Sequence, residues 1–301
     1  MLQIANPRER AAVAAADAVL RLASAAGRGR TRPAPASIRR VLVLRLERIG
    51  DLIMSLPALR ALRTLVPGAR IDLVTGAWNE ALAAHIDAVD AVETMSAHWL
   101  ARGEGGSGWR ALLHQAGAWR RRQYDLAINL EGDIRSNLLM SRAGARWSAG
   151  FGMAGGGPLL DDDVPFDARS HTAVNGVRLV RAALGASAAR PPWPEEGRAA
   201  AAQLPRAGLS IPPAARAEAD AMLAPAATGP LVGLHIGAGR AVKEWPASRM
   251  AETGAWAVRE RNAAIVLTGS SADRARADEV RRALPAGATI IDTVGSAPAG
   301  S

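Results

Sequence analysis

Cysteine is absent from the 301 residues, which excludes disulfides and thiolate metal ligands and removes any argument for an oxidising compartment. A cytoplasmic location is expected. Aromatic residues amount to only 4%. Proteins that grip nucleic acid interleave basic side chains with exposed aromatics on which bases stack, so this scarcity argues against a nucleic-acid partner even though the formal charge is +9. Lysine is almost missing too: Lys243 is the only one among 37 Lys and Arg. So complete a bias toward arginine is a property of the whole chain, and much of the positive charge therefore says little about partners. No apolar run approaches the roughly 18 to 20 residues that cross a bilayer as a helix, and no spanning helix is expected.

What is present is an alternation of β-branched and Ala/Leu/Arg-rich runs, with 49% hydrophobic residues. That is enough for two α/β domains with their own cores. Residues 1–37 read as an Ala-rich amphipathic helix over 9–25 and a basic segment, a candidate for peripheral contact with anionic lipid. Residues 38–185 read as the first domain, 186–228 as a Pro/Ala-rich linker with one helix over 214–223, and 229–301 as the second domain. The first strand, Val41 to Leu46, leads through Glu47-Arg-Ile-Gly-Asp51 into a helix predicted over 52–65, and Arg70 to Thr75 is the next strand. This is a βαβ unit, and Gly50 is expected to let the chain turn sharply. The second domain repeats the pattern with strands near 231–236, 264–268 and 288–291.

Open α/β sheets bind ligands beyond the carboxyl ends of their strands. Asp51 sits at such a place, where a carboxylate suits proton abstraction; an N-cap role is the alternative that spacing alone favours. Gly237, Gly239 and Lys243 form a second such turn, with amides and a cation fit for an anion. Asp161-Asp162-Asp163 has the spacing of a metal-binding carboxylate pair but reads as a solvated loop. Gly155-Gly156-Gly157 lacks the Lys-Ser/Thr of a phosphate loop and reads as a flexible lip, and His85, His98 and His114 lack metal-ligand spacing. No metal site and no cofactor are expected.

Four segments change the weight of these readings: Arg45-Leu-Glu-Arg-Ile-Gly-Asp-Leu-Ile-Met-Ser-Leu-Pro-Ala-Leu-Arg60, Tyr124-Asp-Leu-Ala-Ile-Asn-Leu-Glu-Gly-Asp-Ile-Arg-Ser136, His171-Thr-Ala-Val-Asn175 and His235-Ile-Gly-Ala-Gly-Arg-Ala-Val-Lys-Glu-Trp-Pro246. In that order they resemble motifs of the family nine glycosyltransferases, the lipopolysaccharide heptosyltransferases and their relatives. The resemblance implies a GT-B fold, two Rossmann-like domains facing one another across a cleft. It implies inverting, metal-independent transfer from a nucleoside diphosphate sugar, typically ADP-heptose, to a lipid-linked anionic saccharide of the lipopolysaccharide core. It assigns Asp51 as the catalytic base, Arg48, Gly50 and Arg135 to the acceptor, and Gly237, Gly239, Lys243 and Asp273 to the donor. The family usually continues into an Asp-Thr-Gly-x-x-His segment that is missing here, so the second domain is expected to be incomplete. The alternative reading is a truncated, non-catalytic remnant that retains acceptor binding only.

Overall fold

A computed structural model of the chain describes residues 4, 6–24, 30–100, 106–185, 209–226, 229–239 and 241–296. The chain divides into two compact units, Met1–Ser210 and Ile211–Ser301.

In the first unit the strands are β1 (Arg40–Arg45), β2 (Arg70–Thr75), β3 (Ala91–Thr94), β4 (Leu126–Asn129), β5 (Trp147–Gly150) and β6 (Asp162–Asp163). They form one parallel sheet in the order β3-β2-β1-β4-β5-β6. The helices are α1 (Pro7–Ser24), α2 (Ile49–Leu65), α3 (Glu80–Ala83), α4 (Trp109–Ala118), α5 (Ile134–Ser141) and α6 (Thr172–Ala183). A parallel sheet is covered on both faces, which is why β1 is apolar without interruption from Val41 to Leu44. Val41 and Val43 pack with Leu52, Leu56, Leu59 and Leu62 of α2 and Val177 and Val180 of α6. Leu42 and Leu44 point the other way, onto Leu112 of α4 and Leu139 and Met140 of α5. Each such side chain contributes about 1.5–3 kcal/mol on burial. Gly176 lets α6 approach α2 closely: a Cβ there would lie 3.2 Å from that of Ala58.

The chain runs outward from β1 to β3, then returns to β4 and runs outward the other way. The β1/β4 boundary is therefore the switch point of the sheet, where the loops after the two strands diverge and leave a crevice.

Two expectations from sequence are corrected in this unit. Asp161 to Asp163 do not form a solvated loop, because Asp162 and Asp163 make the edge strand β6. Asp161 accepts the Ser148 amide and hydroxyl, both at 2.8 Å, Asp162 accepts from Arg32 and from Trp147 Nε1, both at 2.7 Å, and Asp163 accepts the Gly152 amide at 2.8 Å. The glycines at 155–157 do not form a flexible lip. Gly155 and Gly156 adopt φ of 96° and 77°, Asn137 Nδ2 donates to the Gly155 carbonyl, and buried Asp17 of α1 accepts the Gly156 amide at 2.7 Å. The N-terminal helix is thereby docked on this unit.

The second unit has a parallel sheet of β7 (Leu231–His235), β8 (Ala264–Thr268) and β9 (Ile290–Asp292) in that order. Helices α8 (Ala247–Arg261) and α9 (Arg274–Ala283) cover one face through Met250, Ala251, Ala257, Ala277 and Val280. Leu223 of α7 (Pro213–Leu223) and Ala226 pack near Ala264 and Ile291. Most of the expected linker lies outside the described residues. Its described parts are not free: Leu209 bridges Ile86 in the first unit, and α7 is built into the second.

Candidate active site

Strand β1 ends in a buried charged residue. Arg45 is 3% exposed, and its guanidinium donates to the carbonyls of Leu130 (2.6 Å) and Asp51 (3.2 Å). It also faces two carboxylates, Asp51 Oδ1 at 3.3 Å and Glu47 Oε2 at 3.4 Å. One buried cation thus orients both ends of the turn that follows β1.

That turn is tighter and earlier than the sequence predicted. Helix α2 starts at Ile49, with Arg48 in extended conformation as its N-cap, so Asp51 lies in the first turn of the helix and is not the cap. Its side chain is 31% exposed, open enough to meet a ligand and fixed enough to be aimed. Gly50 is corrected as well. It has ordinary helical backbone, and a Cβ there would meet nothing within 4 Å. No turn demands this glycine; it leaves open space beside Asp51.

Beneath the turn lies a group that the motif assignments passed over. Glu131 follows β4 and is 4% exposed. Its Oε1 accepts the amides of Leu46 and, at 3.0 Å, Glu47. Its own amide donates to Asn129 Oδ1, and Asn129 Nδ2 in turn donates to Asn137 and Ser136 on α5. Burial pushes the Glu131 carboxyl up to about 8; the neighbouring Glu47 adds to the shift and Arg45 opposes it. Burial also raises Glu47, with Arg45 pulling down against Asp51 and Asp133. The next residue, Gly132, has φ of 152°, and a Cβ there would lie 2.7 Å from Met153 Cε. Only glycine carries the chain from Glu131 to Asp133, which caps α5 by accepting the Arg135 amide at 2.8 Å.

Both expected acceptor-side arginines lie over indole rings. The Arg48 guanidinium lies 4.9 Å from the Trp78 ring centroid and donates to the Leu100 carbonyl. Trp78 Nε1 donates to the Glu47 carbonyl at 3.0 Å. Gly76 admits this packing, since a Cβ there would lie 2.4 Å from the Trp78 ring. Arg135 lies 5.1 Å from the centroid of Trp99 and pairs with Asp133 at 3.0 Å; Trp99 stacks on Trp109 at 4.8 Å. Cations fixed on aromatic faces keep their charge available for an anionic ligand while losing little side-chain freedom when it binds. Arg48, Gly50, Asp51 and Arg135 thus share the carboxyl edge of β1 and β4. Arg45, Glu47, Trp78, Trp99 and Glu131 complete the group, and sequence reasoning did not assign them. The available signal was charge at or just beyond the ends of two strands whose interiors are apolar.

Of the other four expected residues, Gly237 and Asp273 meet at the carboxyl edge of the second sheet. Gly237 follows β7 and lies against Asp273, where a Cβ would come within 2.4 Å of Oδ2. Gly239 is exposed, and Lys243 is exposed at the end of a 3-10 turn, Ala241–Lys243. Asp273 accepts the Ser270 hydroxyl (2.6 Å) and amide (2.8 Å), both on Oδ2, in a capping box before α9. These bonds hold its carboxyl below the usual range. His235 and Thr268, ending adjacent strands, share a hydrogen bond of 3.0 Å. His171, in the third motif, caps α6 through Nδ1.

A family model described as glycosyltransferase family 9 (heptosyltransferase) matches residues 113–294. That span contains the second, third and fourth motifs and leaves the Arg45 to Arg60 segment outside it. Among curated proteins none matches. Among solved structures the chain is similar to a glycosyl transferase family 9 protein from Veillonella parvula DSM 2008, with TM-score 0.69 and 19% identity over 89% of this chain and 72% of that one. It is also similar to E. coli ADP-heptose lps heptosyltransferase II, with TM-score 0.65 and 21% identity over 86% and 73%. For E. coli heptosyltransferase WaaC with ADP the TM-score is 0.59 and the identity 18%, over 87% and 75%. At these identities the likeness shows the fold, α/β of GT-B type.

Proposed function

The chain belongs to glycosyltransferase family 9, the heptosyltransferases, and from that premise we propose that it moves a heptose from ADP-heptose to an anionic saccharide of the lipopolysaccharide core, with inversion and without a metal. The observation that carries this reading is Asp51: a part-exposed carboxylate beyond the end of β1, oriented by buried Arg45 and flanked by two arginines fixed on tryptophans. Asp51 takes the proton of the acceptor hydroxyl as its oxygen bonds to the anomeric carbon, while the bond from that carbon to the diphosphate breaks. Arg48 and Arg135 hold acidic groups of the acceptor, and the open space at Gly50 admits its sugar ring. The leaving diphosphate gains negative charge, which Lys243 and the amides near Gly237 and Gly239 stabilise. Asp273 has both of its bonds to Ser270 on Oδ2, leaving Oδ1 for a ribose hydroxyl.

Among the described residues no helix is long and apolar enough to cross a membrane. The exposed Val19 and Leu22 on α1 support a peripheral contact at the inner membrane, on its cytoplasmic side, where a lipid-linked acceptor is met.

The test is Asp51→Asn, which keeps shape and removes basicity. Release of ADP from ADP-heptose, with a heptose-less lipopolysaccharide as acceptor, is expected to fall roughly 10²- to 10⁴-fold. The thermal midpoint and ADP affinity are expected to stay where they are. Unchanged turnover would overturn the assignment.

A further inference from the structure

The crevice at the β1/β4 switch point contains a buried acid for which the transfer reaction described above has no use. Glu131 is buried, yet it holds the two amides that begin the turn toward Asp51. We propose that Glu131 is a positioning residue for the base: by accepting the Leu46 and Glu47 amides it fixes the turn that delivers Asp51, and by its charge it sets how strongly Arg45 draws on Asp51. The inference rests on Asp51 being the base.

The geometry supports both halves. Amides facing a buried acceptor cannot find water when that acceptor is lost, so the Leu46–Glu47 backbone depends on this one side chain. The same turn carries the Glu47 carbonyl, which holds Trp78 and Asn79 (2.7 Å), and the N-cap of α2, from which Asp51 projects. Glu131 is in turn locked through Asn129 to α5, so the turn after β1 is referenced to β4 and not to its own flexible ends.

The charged groups on the elements packed against Glu131 are Arg45 on β1, Glu47 and Arg48 on the turn, Asp51 on α2, and Asp133 and Arg135 at the start of α5. Arg45 is the single buried cation among them. While Glu131 is protonated, Arg45 is shared by Glu47 and Asp51. When Glu131 ionises, a third anion competes for Arg45, the hold of Arg45 on Asp51 loosens, and the bonds to the two amides become charge-assisted and stronger. Burial places this change at about pH 8, so transfer is expected to speed up as pH rises through that value.

Three full-length variants separate the possibilities. Glu131→Gln keeps an acceptor oxygen for the amides and cannot ionise; Glu131→Ala removes the acceptor; Asp51→Asn is the control on the parent reading. Amide exchange over residues 45–52 is measured together with ADP release from ADP-heptose, between pH 6 and 9. Glu131→Ala is expected to speed exchange of the Leu46 and Glu47 amides roughly 5- to 100-fold. It is also expected to lower kcat roughly 10- to 100-fold with donor KM unchanged. Glu131→Gln is expected to keep the protection and to lose the rise in kcat around pH 8. The proposal is overturned if Glu131→Ala leaves both exchange and kcat alone, or if Glu131→Gln reproduces the wild-type rise. Should Asp51→Asn turn over like wild type, the base assignment fails by itself, and the exchange measurement still decides whether Glu131 holds the turn. Should Asp51→Asn be inactive while Glu131→Gln behaves as wild type, only the present inference falls.

Discussion

Replacing Glu131 by glutamine removes an ionisation that folding must work against, and the size of the effect follows from where the acid sits. In the unfolded chain the group ionises near 4.5, and in the folded protein burial moves this to about 8. Below both values each state holds the proton, so Glu131 adds no pH dependence. Between them the unfolded chain has released a proton that the native state keeps. Stability therefore falls as pH rises, by about 1.4 kcal/mol per pH unit, and levels off above about 8. The full loss is about 5 kcal/mol, comparable with the entire stability of an ordinary domain. Glutamine cannot ionise, so the Glu131→Gln variant should gain on wild type steadily from pH 5 to 8, by about 3–5 kcal/mol. Urea unfolding followed by tryptophan fluorescence suits the question, because six of the eight tryptophans precede residue 211. If the two stability curves run parallel, within about 1 kcal/mol across this range, the reasoning is refuted. Arg45 would then outweigh burial and hold Glu131 ionised in the ordinary carboxylate range.

Three further outcomes are expected. Trp99→Ala removes the ring beneath Arg135 and should raise acceptor KM roughly 3- to 10-fold with kcat little changed, the worth of a cation held on an aromatic face; an unchanged KM would remove Arg135 from the acceptor site. Gly132→Ala forces a side chain onto a φ of 152° and against Met153, and should cost about 1–3 kcal/mol in thermal unfolding. Pairing it with Met153→Ala should relieve the steric part only. Gly50→Ala should leave the fold intact or stabilise it by about 0.5–1 kcal/mol, since the position is helical and open. The same variant should weaken acceptor binding, and wild-type acceptor KM would show that the space beside Asp51 is not used.

The sheet was legible because its chemistry is local. Val41 to Leu44 are apolar at every position, as a strand covered on both faces requires, and Pro67-Gly68 marks the end of the helix that follows. Asp51 and Arg135 were singled out through motif resemblance, and the structure places both on one sheet edge. Glu131 was not, because its meaning depends on β1 and β4 being neighbours, and its partners Leu46 and Glu47 lie 85 and 84 residues away. The acidic run 161–163 failed for the same reason: Arg32, which turns Asp162 into half of an ion pair, is 130 residues distant. Gly50 misled in the opposite direction. A glycine before an aspartate reads as a turn, but extended Arg48 ends the turn before the glycine is reached.

The separation of Glu131 from the turn it holds also fixes when the site can exist during folding. Strand β1 meets β2 at a separation of 30 residues, Arg40 beside Arg70, and meets β4 at 85, Val41 beside Leu126. Closing the longer loop costs roughly 1 kcal/mol more chain entropy than closing the shorter one, and long-range parallel pairing is slow. Strand β1 and helix α2 can therefore assemble with β2 while the Leu46 and Glu47 amides still have no carboxylate to meet. Docking of β4 supplies it. Nothing shorter than the chain through residue 135 contains the site, and on a ribosome or in a refolding mixture a correctly aimed Asp51 reports that the middle of the sheet has closed.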